Sequence, residues 1–500
     1  MKRPLLLSII CLFFLDSFSQ INTTYQAEIF GSLATGEHTP FWMVNRTWGM
    51  VPLDANNFYL RGAVFHDQQL NKDWSFGLGV DMAGSAPHTY KQVWIQQAYG
   101  ELNWKNFRLR IGSKEEYISL LDEQLSSGDF SASNHARPIP EIRINMDNFW
   151  LIPYTKGNLY LKGDFAIGKY LDGQWQENTA KPEHQSYTKD VLSHHKSIYF
   201  RLKDIEKESK WQVTVGLAHY VQWGGLLYKY RDIDNEYQYI VEDQPQGITD
   251  FIRAMVAGKG GIGSSGADSI NAAGSHSGNY ILKLDYVLKN DACLSFYFQH
   301  FFEDGSSMNP RSFQDMLLGL QYKSNQKRLL SGAVLEYIYT KNQAGPIHFV
   351  LADDEHASVR TQETGNDDYY NNVDYVQGPS HFGKTTGSPL LLSPEYNTGG
   401  SLNFKSNRII AFHLGLEGYL RPALQYRLSL TTGQSWGRYY IPFTAVKKGF
   451  ASQLELIYTC PQTEGLAVKL SAGYDKGTFF GGDTFGGGLT LTKRGLIYTK

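Results

Sequence analysis

The stretch Asp367-Asp368-Tyr369-Tyr370-Asn371-Asn372, continued by Asp374 and Tyr375, gathers carboxylates, carboxamides and phenol rings in one short segment. That mixture suits a saccharide, because planar amide and carboxylate groups bond to sugar hydroxyls while aromatic faces cover sugar C–H surfaces. The same residue types also build self-packed turns, in which Asp and Asn side chains bond to nearby backbone N–H groups. Trp223 and Tyr228 form a second aromatic pair, suited to a sugar platform or to anchoring at a membrane interface. Arg137 is the one strong charge in the tail of Leu125–Pro140, LSSGDFSASNHARPIP. Its planar guanidinium suits a carboxylate inside the protein, or an acidic saccharide or phosphate presented from outside. The candidate polysaccharide-binding residues are therefore Arg137, Trp223, Asp367, Asp368, Tyr369, Tyr370, Asn371, Asn372 and Tyr375.

Catalytic constellations find little support. The chain has neither a Gly-x-Ser-x-Gly elbow nor a His-Glu-x-x-His zinc helix. His194 and His195 are adjacent, so in a strand they point to opposite faces and cannot share a metal. The glycine-rich run Gly258–Gly266 lacks the Lys-Ser/Thr ending of a phosphate loop and reads as a mobile outer loop. Converging carboxylates among the outer acids would be needed for a glycosidase, a third reading behind binding and transport. No enzyme, cofactor or metal is expected. A formal net charge of -2 gives no bulk basicity for a nucleic-acid partner.

The elements that must carry these residues are strands. Trp74, Phe76, Leu78, Val80 and Met82 alternate with Ser75, Gly77, Gly79 and Asp81, the period of a strand with one apolar and one polar face. The pattern recurs along the chain and gives about eighteen to twenty candidate strands of roughly nine residues, the length that crosses a bilayer at a tilt. After the first segment no run of eighteen apolar residues occurs, which excludes helical spans but not a barrel. Connections alternate short and long, with long ones near 113–140, 169–195, 220–279 and 340–400. Outer-membrane barrels segregate short periplasmic turns from long extracellular loops in this way.

Residues 1–19 read as a signal peptide: Lys2 and Arg3, then Leu5 to Leu15, then Ser17-Phe18-Ser19. Residues 20–500 form a single barrel domain on this reading. Beyond that segment only Cys293 and Cys460 remain, each expected as a small packed residue, with at most one disulfide. Strand parity leaves the C-terminus on the outer side unless a further strand lies near Gln434–Phe443, and Tyr25–Leu33 is the segment most open to overcounting.

The run Leu125-Ser126-Ser127-Gly128, followed by Ser133-Asn134-His135-Ala136-Arg137-Pro138-Ile139-Pro140, resembles the "LS-NARP-P" signature of the Wzi family of capsule-assembly proteins. Asn134, Ala136, Arg137, Pro138 and Pro140 carry it, and His135 stands where the enterobacterial pattern has a second Asn. Thr39-Pro40-Phe41-Trp42, Gln97–Glu101, Gln222–Gly225 and Gly387–Leu390 also look similar to Bacteroidetes-type members, so the resemblance spans nearly the whole chain. It implies an all-β, antiparallel outer-membrane β-barrel of about eighteen strands in a Gram-negative bacterium, with a small periplasmic helical element. The implied role is a non-catalytic surface lectin that holds capsular polysaccharide at the cell surface. Its partners would be that polysaccharide, outer-membrane lipid and lipopolysaccharide, and the polysaccharide export machinery. The runner-up is a porin or polysaccharide conduit, which needs an open lumen where a lectin does not.

Overall fold

The structure is a computed structural model that describes residues 20–499 except 88–92, 204–208, 262, 266–271, 289–291, 304–306, 309–313, 346–347, 352–360 and 365–366. The signal-peptide segment lies outside the described residues, as does part of the glycine-rich run.

Eighteen antiparallel strands form the wall. They are β1 (Ile21–Ala34), β2 (Asn57–Gln69), β3 (Trp74–Ala86), β4 (Trp94–Trp104), β5 (Phe107–Ser113) and β6 (Glu141–Met146, resumed at Trp150–Leu151). Next come β7 (Leu159–Lys169), β8 (Leu192–Leu202), β9 (Trp211–Trp223), β10 (Ser275–Val287), β11 (Cys293–Phe302) and β12 (Met316–Lys323). The ring continues with β13 (Gly332–Tyr339), β14 (Ile409–Arg421), β15 (Leu424–Gly437), β16 (Pro442–Thr459), β17 (Leu466–Gly477) and β18 (Thr484–Thr499). Each strand pairs with its sequence neighbour, and β1 also pairs with β18, for example Ile29 with Leu491, which closes the ring and removes every free edge.

Alternation sets which way each side chain points. On β3 the outward Leu78, Val80 and Met82 are exposed, whereas the inward Asp81 is fully buried. The outward apolar band is the membrane belt. It ends at the short-turn rim in an aromatic girdle, where Trp74, Trp104, Phe107 and Trp150 follow one another with ring centroids 6.0 to 6.3 Å apart. Interfacial aromatics of this kind mark the edge of the hydrocarbon. Connections at that end are short, such as 105–106 and 422–423, and both Ile21 and Thr499 lie there. The long connections 35–56, 114–140, 170–191, 224–274 and 340–408 share the opposite, extracellular end.

Three expectations change. Tyr25–Leu33 is not an overcount but the centre of β1, the strand that closes the barrel. Gln434–Phe443 is not a separate strand; it covers the end of β15, the turn 438–441 and the start of β16, and the five strands β14 to β18 that follow the last long connection are an odd number, which brings Thr499 to the short-turn rim. The helices Phe41–Val44, Gly173–Ala180 and Ile248–Met255 all belong to extracellular-side connections, so no periplasmic helix occurs among the described residues. Cys293 and Cys460 are free thiols.

Candidate functional site

The lumen is filled from within by its own connections. Residues 114–140 leave the wall at β5 and re-enter at β6, yet their middle reaches β12 to β14, half-way round the ring. At the near wall, Glu115 accepts from Arg61 Nη2 at 2.7 Å and Glu116 from Arg108 Nη1 at 2.6 Å. At the far wall, Ser126 Oγ and the Ser127 N–H donate to the two oxygens of Glu336, each at 2.7 Å, and Tyr297 adds its hydroxyl at 2.5 Å. His413 bonds the Leu125 carbonyl at 2.8 Å, and Lys323 pairs with Asp122 at 2.9 Å. Gly415 on β14 leaves the space that the chain occupies, since a Cβ there would lie 2.4 Å from the Leu125 oxygen.

Two further segments fold onto this bridge. In 35–56, the Trp42 indole N–H donates to Thr431 at 2.9 Å and the Phe41 N–H to Asp475 at 2.6 Å, both on the wall. From 367–408, Tyr369 and Tyr370 enter the same apolar cluster as Phe41, Trp42, Phe130 and Phe301. Phe130 stacks on Phe301 with centroids 4.3 Å apart and meets Tyr369 edge-on at 5.4 Å. The lumen therefore has a hydrophobic core of its own, satisfied at its rim by hydrogen bonds. Spaces of about 260, 100 and 70 Å³ remain beside it.

The sequence-derived candidates separate in this frame. Tyr369, Tyr370 and Tyr375 are 1% exposed or less, so the phenol faces read as a sugar platform are packing faces of the plug. Tyr369 donates to Asp315 at 2.9 Å, and Tyr370 accepts the Ser388 N–H at 3.0 Å. Asp368 is tied to Arg438 Nε at 2.8 Å and Asn407 at 2.6 Å, Asn371 to the Phe404 backbone, and Asn372 caps the N–H groups of Asp374 and Tyr375. Asp367 is buried. Self-packed turn chemistry has thus claimed most of this segment. Trp223 points outward at the extracellular end of β9 and is covered by Phe251 at 5.3 Å, which removes it from a sugar-facing surface.

The signature residues are structural neighbours of the plug. The Asn134 amide donates to the Glu123 carbonyl, and its own carbonyl accepts the Trp48 N–H at 2.8 Å. His135 Nδ1 accepts the Arg46 N–H at 2.8 Å, a role that needs a neutral ring, and burial holds its pKa well below the usual histidine range. Ala136 and Pro138 are buried, and Pro140 offers its carbonyl to Lys169 at 3.1 Å. Arg137 is half-buried; its guanidinium donates to the Ile95 carbonyl, lies 5.1 Å over the Phe382 ring, and borders the space of about 100 Å³.

The exposed aromatic surface lies elsewhere, in a three-stranded sheet above the rim. Leu226–Ile233 pairs with Glu236–Asp243 and with Tyr187–Lys189. Asp234 and Asn235 form the two-residue turn with φ of 54° and 68°, the conformation such hairpins require. One face stacks Tyr187 on Tyr228 at 4.6 Å, then Tyr230 on Tyr237 at 5.5 Å, with the His184 ring 5.0 Å from Tyr230. The inner pair packs on the helix Gly173–Ala180 region, whereas Tyr237 is 66% exposed. Lys229, on the opposite face, bonds Glu242 at 2.7 Å and Asp374 at 2.6 Å and so ties the sheet to the plug. Sequence reading placed this region inside one very long loop. Its signal is the alternation of Tyr228 and Tyr230 with Tyr237 and Tyr239 about Asp234-Asn235.

With this geometry in view, solved structures supply the comparison. The fold is similar to that of Wzi from Escherichia coli, an outer-membrane carbohydrate-binding β-barrel involved in group 1 capsule assembly, with TM-score 0.55 and 12% identity over 93% of this chain and 83% of that one. It is also similar to OccK2 of Pseudomonas aeruginosa, solved with glucuronate, at TM-score 0.45 and 10% identity over 96% and 98%. OprD of the same organism gives 0.45 and 8% over 96% of each chain. This protein is a Gram-negative outer-membrane β-barrel. No family model matches the chain. No curated protein matches it either. The identities speak for the fold alone.

Proposed function

We propose that this barrel is a non-catalytic surface lectin that binds capsular or other surface polysaccharide at its extracellular mouth and holds it to the cell. The observation that carries this reading is the bridge of 114–140 across the lumen, which leaves the wall as an anchor and the mouth as the working surface. A porin or conduit would need that bridge and its aromatic core displaced. The carbohydrate binding of the Escherichia coli barrel with the same fold is consistent with this assignment. Tyr230 and Tyr237 supply stacking faces of the kind sugars use, and the half-buried Arg137 borders the space of about 100 Å³. The polysaccharide export machinery would deliver the glycan.

The test is retention of native capsule on cells deleted for the gene and complemented with wild type or with the double variant Tyr230→Ala/Tyr237→Ala. Polysaccharide shed into the medium by the deletion and by the variant, with total synthesis unchanged, is the expected outcome. Unchanged attachment in the deletion would remove the lectin reading, and polysaccharide trapped within the cell would replace it with the conduit.

A further inference from the structure

A membrane wall should present apolar side chains outward, yet the extracellular half of β8 presents His194 and Lys196 on the same side as Ile198 and Phe200. Lys196 stands six residues from Leu202 at the inner rim, about 15 Å up a belt about 25 Å tall, given the usual rise and tilt. An unshielded lysine on that face is strongly disfavoured near the bilayer midplane.

The helix Ile248–Met255, from the connection 224–274, lies against this quadrant from outside. Phe251 sits edge-on to His194 at 5.3 Å and to Phe165 at 6.3 Å, and covers Trp223. Lys196 donates its ammonium to the carbonyl of Met255 at the helix C-terminus, the end whose unpaired carbonyls attract a cation. The helix thus hides the polar residues of the wall beneath its own inner face.

Its outer face carries an apolar stripe bordered by Thr249 and Arg253: Ile248, Ile252 and Val256 are exposed at 73%, 49% and 63%. They repeat at i, i+4 and i+8, one stripe of a helix. The stripe continues the belt outward of Phe165 and Ile198, so the surface around it is already a lipid interface. We infer that this helix lies in the outer leaflet as an interfacial element, with Ile248, Ile252 and Val256 packed among acyl chains of the outer-membrane lipid. This inference does not depend on the lectin reading.

The test places a single environment-sensitive fluorophore at Ile252→Cys in a Cys293→Ser/Cys460→Ser background. The full barrel is reconstituted in phosphatidylethanolamine and phosphatidylglycerol vesicles, with Phe200→Cys as the belt control and Tyr237→Cys as the aqueous control. Ile252 is exposed, so the substitution disturbs no packing. The expected result is quenching at 252 by lipids carrying a nitroxide on the upper acyl chain, together with several-fold less quenching by aqueous iodide than at 237. Iodide quenching at 252 equal to that at 237, with no lipid quenching, would overturn the inference and mark the stripe as a surface for a protein partner instead.

Discussion

Ser127 donates its backbone N–H to Glu336 at 2.7 Å, although one residue lies on a connection between β5 and β6 and the other on β13, far around the ring. This bond, with those from Ser126 and Tyr297 to the same carboxylate, holds the bridge across the lumen. It is also the most direct point at which to open it.

Replacing Glu336 with Ala leaves several buried donors without an acceptor, a loss of about 2–4 kcal/mol. That energy is local to the bridge, so the wall should persist while the plug loosens. In planar bilayers the wild type is expected to conduct little, whereas Glu336→Ala shows frequent openings and Glu336→Gln, which keeps one acceptor oxygen, fewer. Equal conductance of Glu336→Ala and wild type would mean that the bridge does not depend on this contact.

Gly415 tests the same bridge by volume instead of polarity. A Cβ at this position meets the Leu125 carbonyl at 2.4 Å, and backbone cannot rotate away as a flexible side chain would. Gly415→Ala should cost about 1–3 kcal/mol through overpacking, visible as a lower temperature of conversion from folded to unfolded mobility on gels. Gly62 on β2 has nothing within 4 Å of its added Cβ, so Gly62→Ala is the matched control and should change little.

The wall was legible because a two-residue period survives wherever one face meets lipid and the other meets water or plug. Leu78, Val80 and Met82 announce themselves in this way, and so does the division into short and long connections. β16 and β18 stand out less, because Lys447 and Lys448 interrupt the alternation of the first near the extracellular rim, and Gly486 and Gly488 remove side chains of the second where Pro40 and Met43 press against the wall. The plug was not legible. Asp368, Tyr369 and Tyr370 have the composition of a sugar-binding surface, and only tertiary contacts with Arg438, Asp315 and Phe130 show that their groups are already spent on one another. The Leu125–Pro140 break was placed at the rim by sequence, while its reach across the lumen depends on partners about two hundred residues away, such as Glu336, 209 positions from Ser127.

Acidity should tighten the extracellular cap through two carboxyls. Burial pushes Asp172 and Asp315 each up to about 6, although each accepts hydrogen bonds, Asp172 from Gln176 at 3.0 Å and Asp315 from Tyr369 at 2.9 Å. A carboxyl raised in the folded state binds its proton more tightly there, so stability falls as pH climbs from about 4 through 6, by on the order of 3 kcal/mol per group. His381 pulls the other way: burial lowers its pKa to about 3, so its contribution is lost as pH drops below about 6.5. Comparing variants isolates each group. Amide exchange in 367–408 of Asp315→Asn should show a weaker increase between pH 5 and pH 8 than the wild type; an unchanged pH dependence would show that Asp315 is not the titrating group.

The last prediction separates binding from folding within one family of aromatic residues. Tyr237 is largely exposed and, among the described residues, stacks only on Tyr230, so removing its ring takes away exposed aromatic surface and little packing. Tyr237→Ala should weaken binding of purified capsular polysaccharide by about 1 kcal/mol, roughly five-fold, with no change in thermal stability. Tyr369 is fully buried and its hydroxyl serves Asp315, so Tyr369→Phe should cost about 1 kcal/mol of plug stability and leave polysaccharide binding unchanged. The two readouts, equilibrium binding of the glycan and thermal unfolding, must therefore move in opposite variants. A fall in binding for Tyr369→Phe but not for Tyr237→Ala would return the glycan site to the plug segment that its composition first suggested.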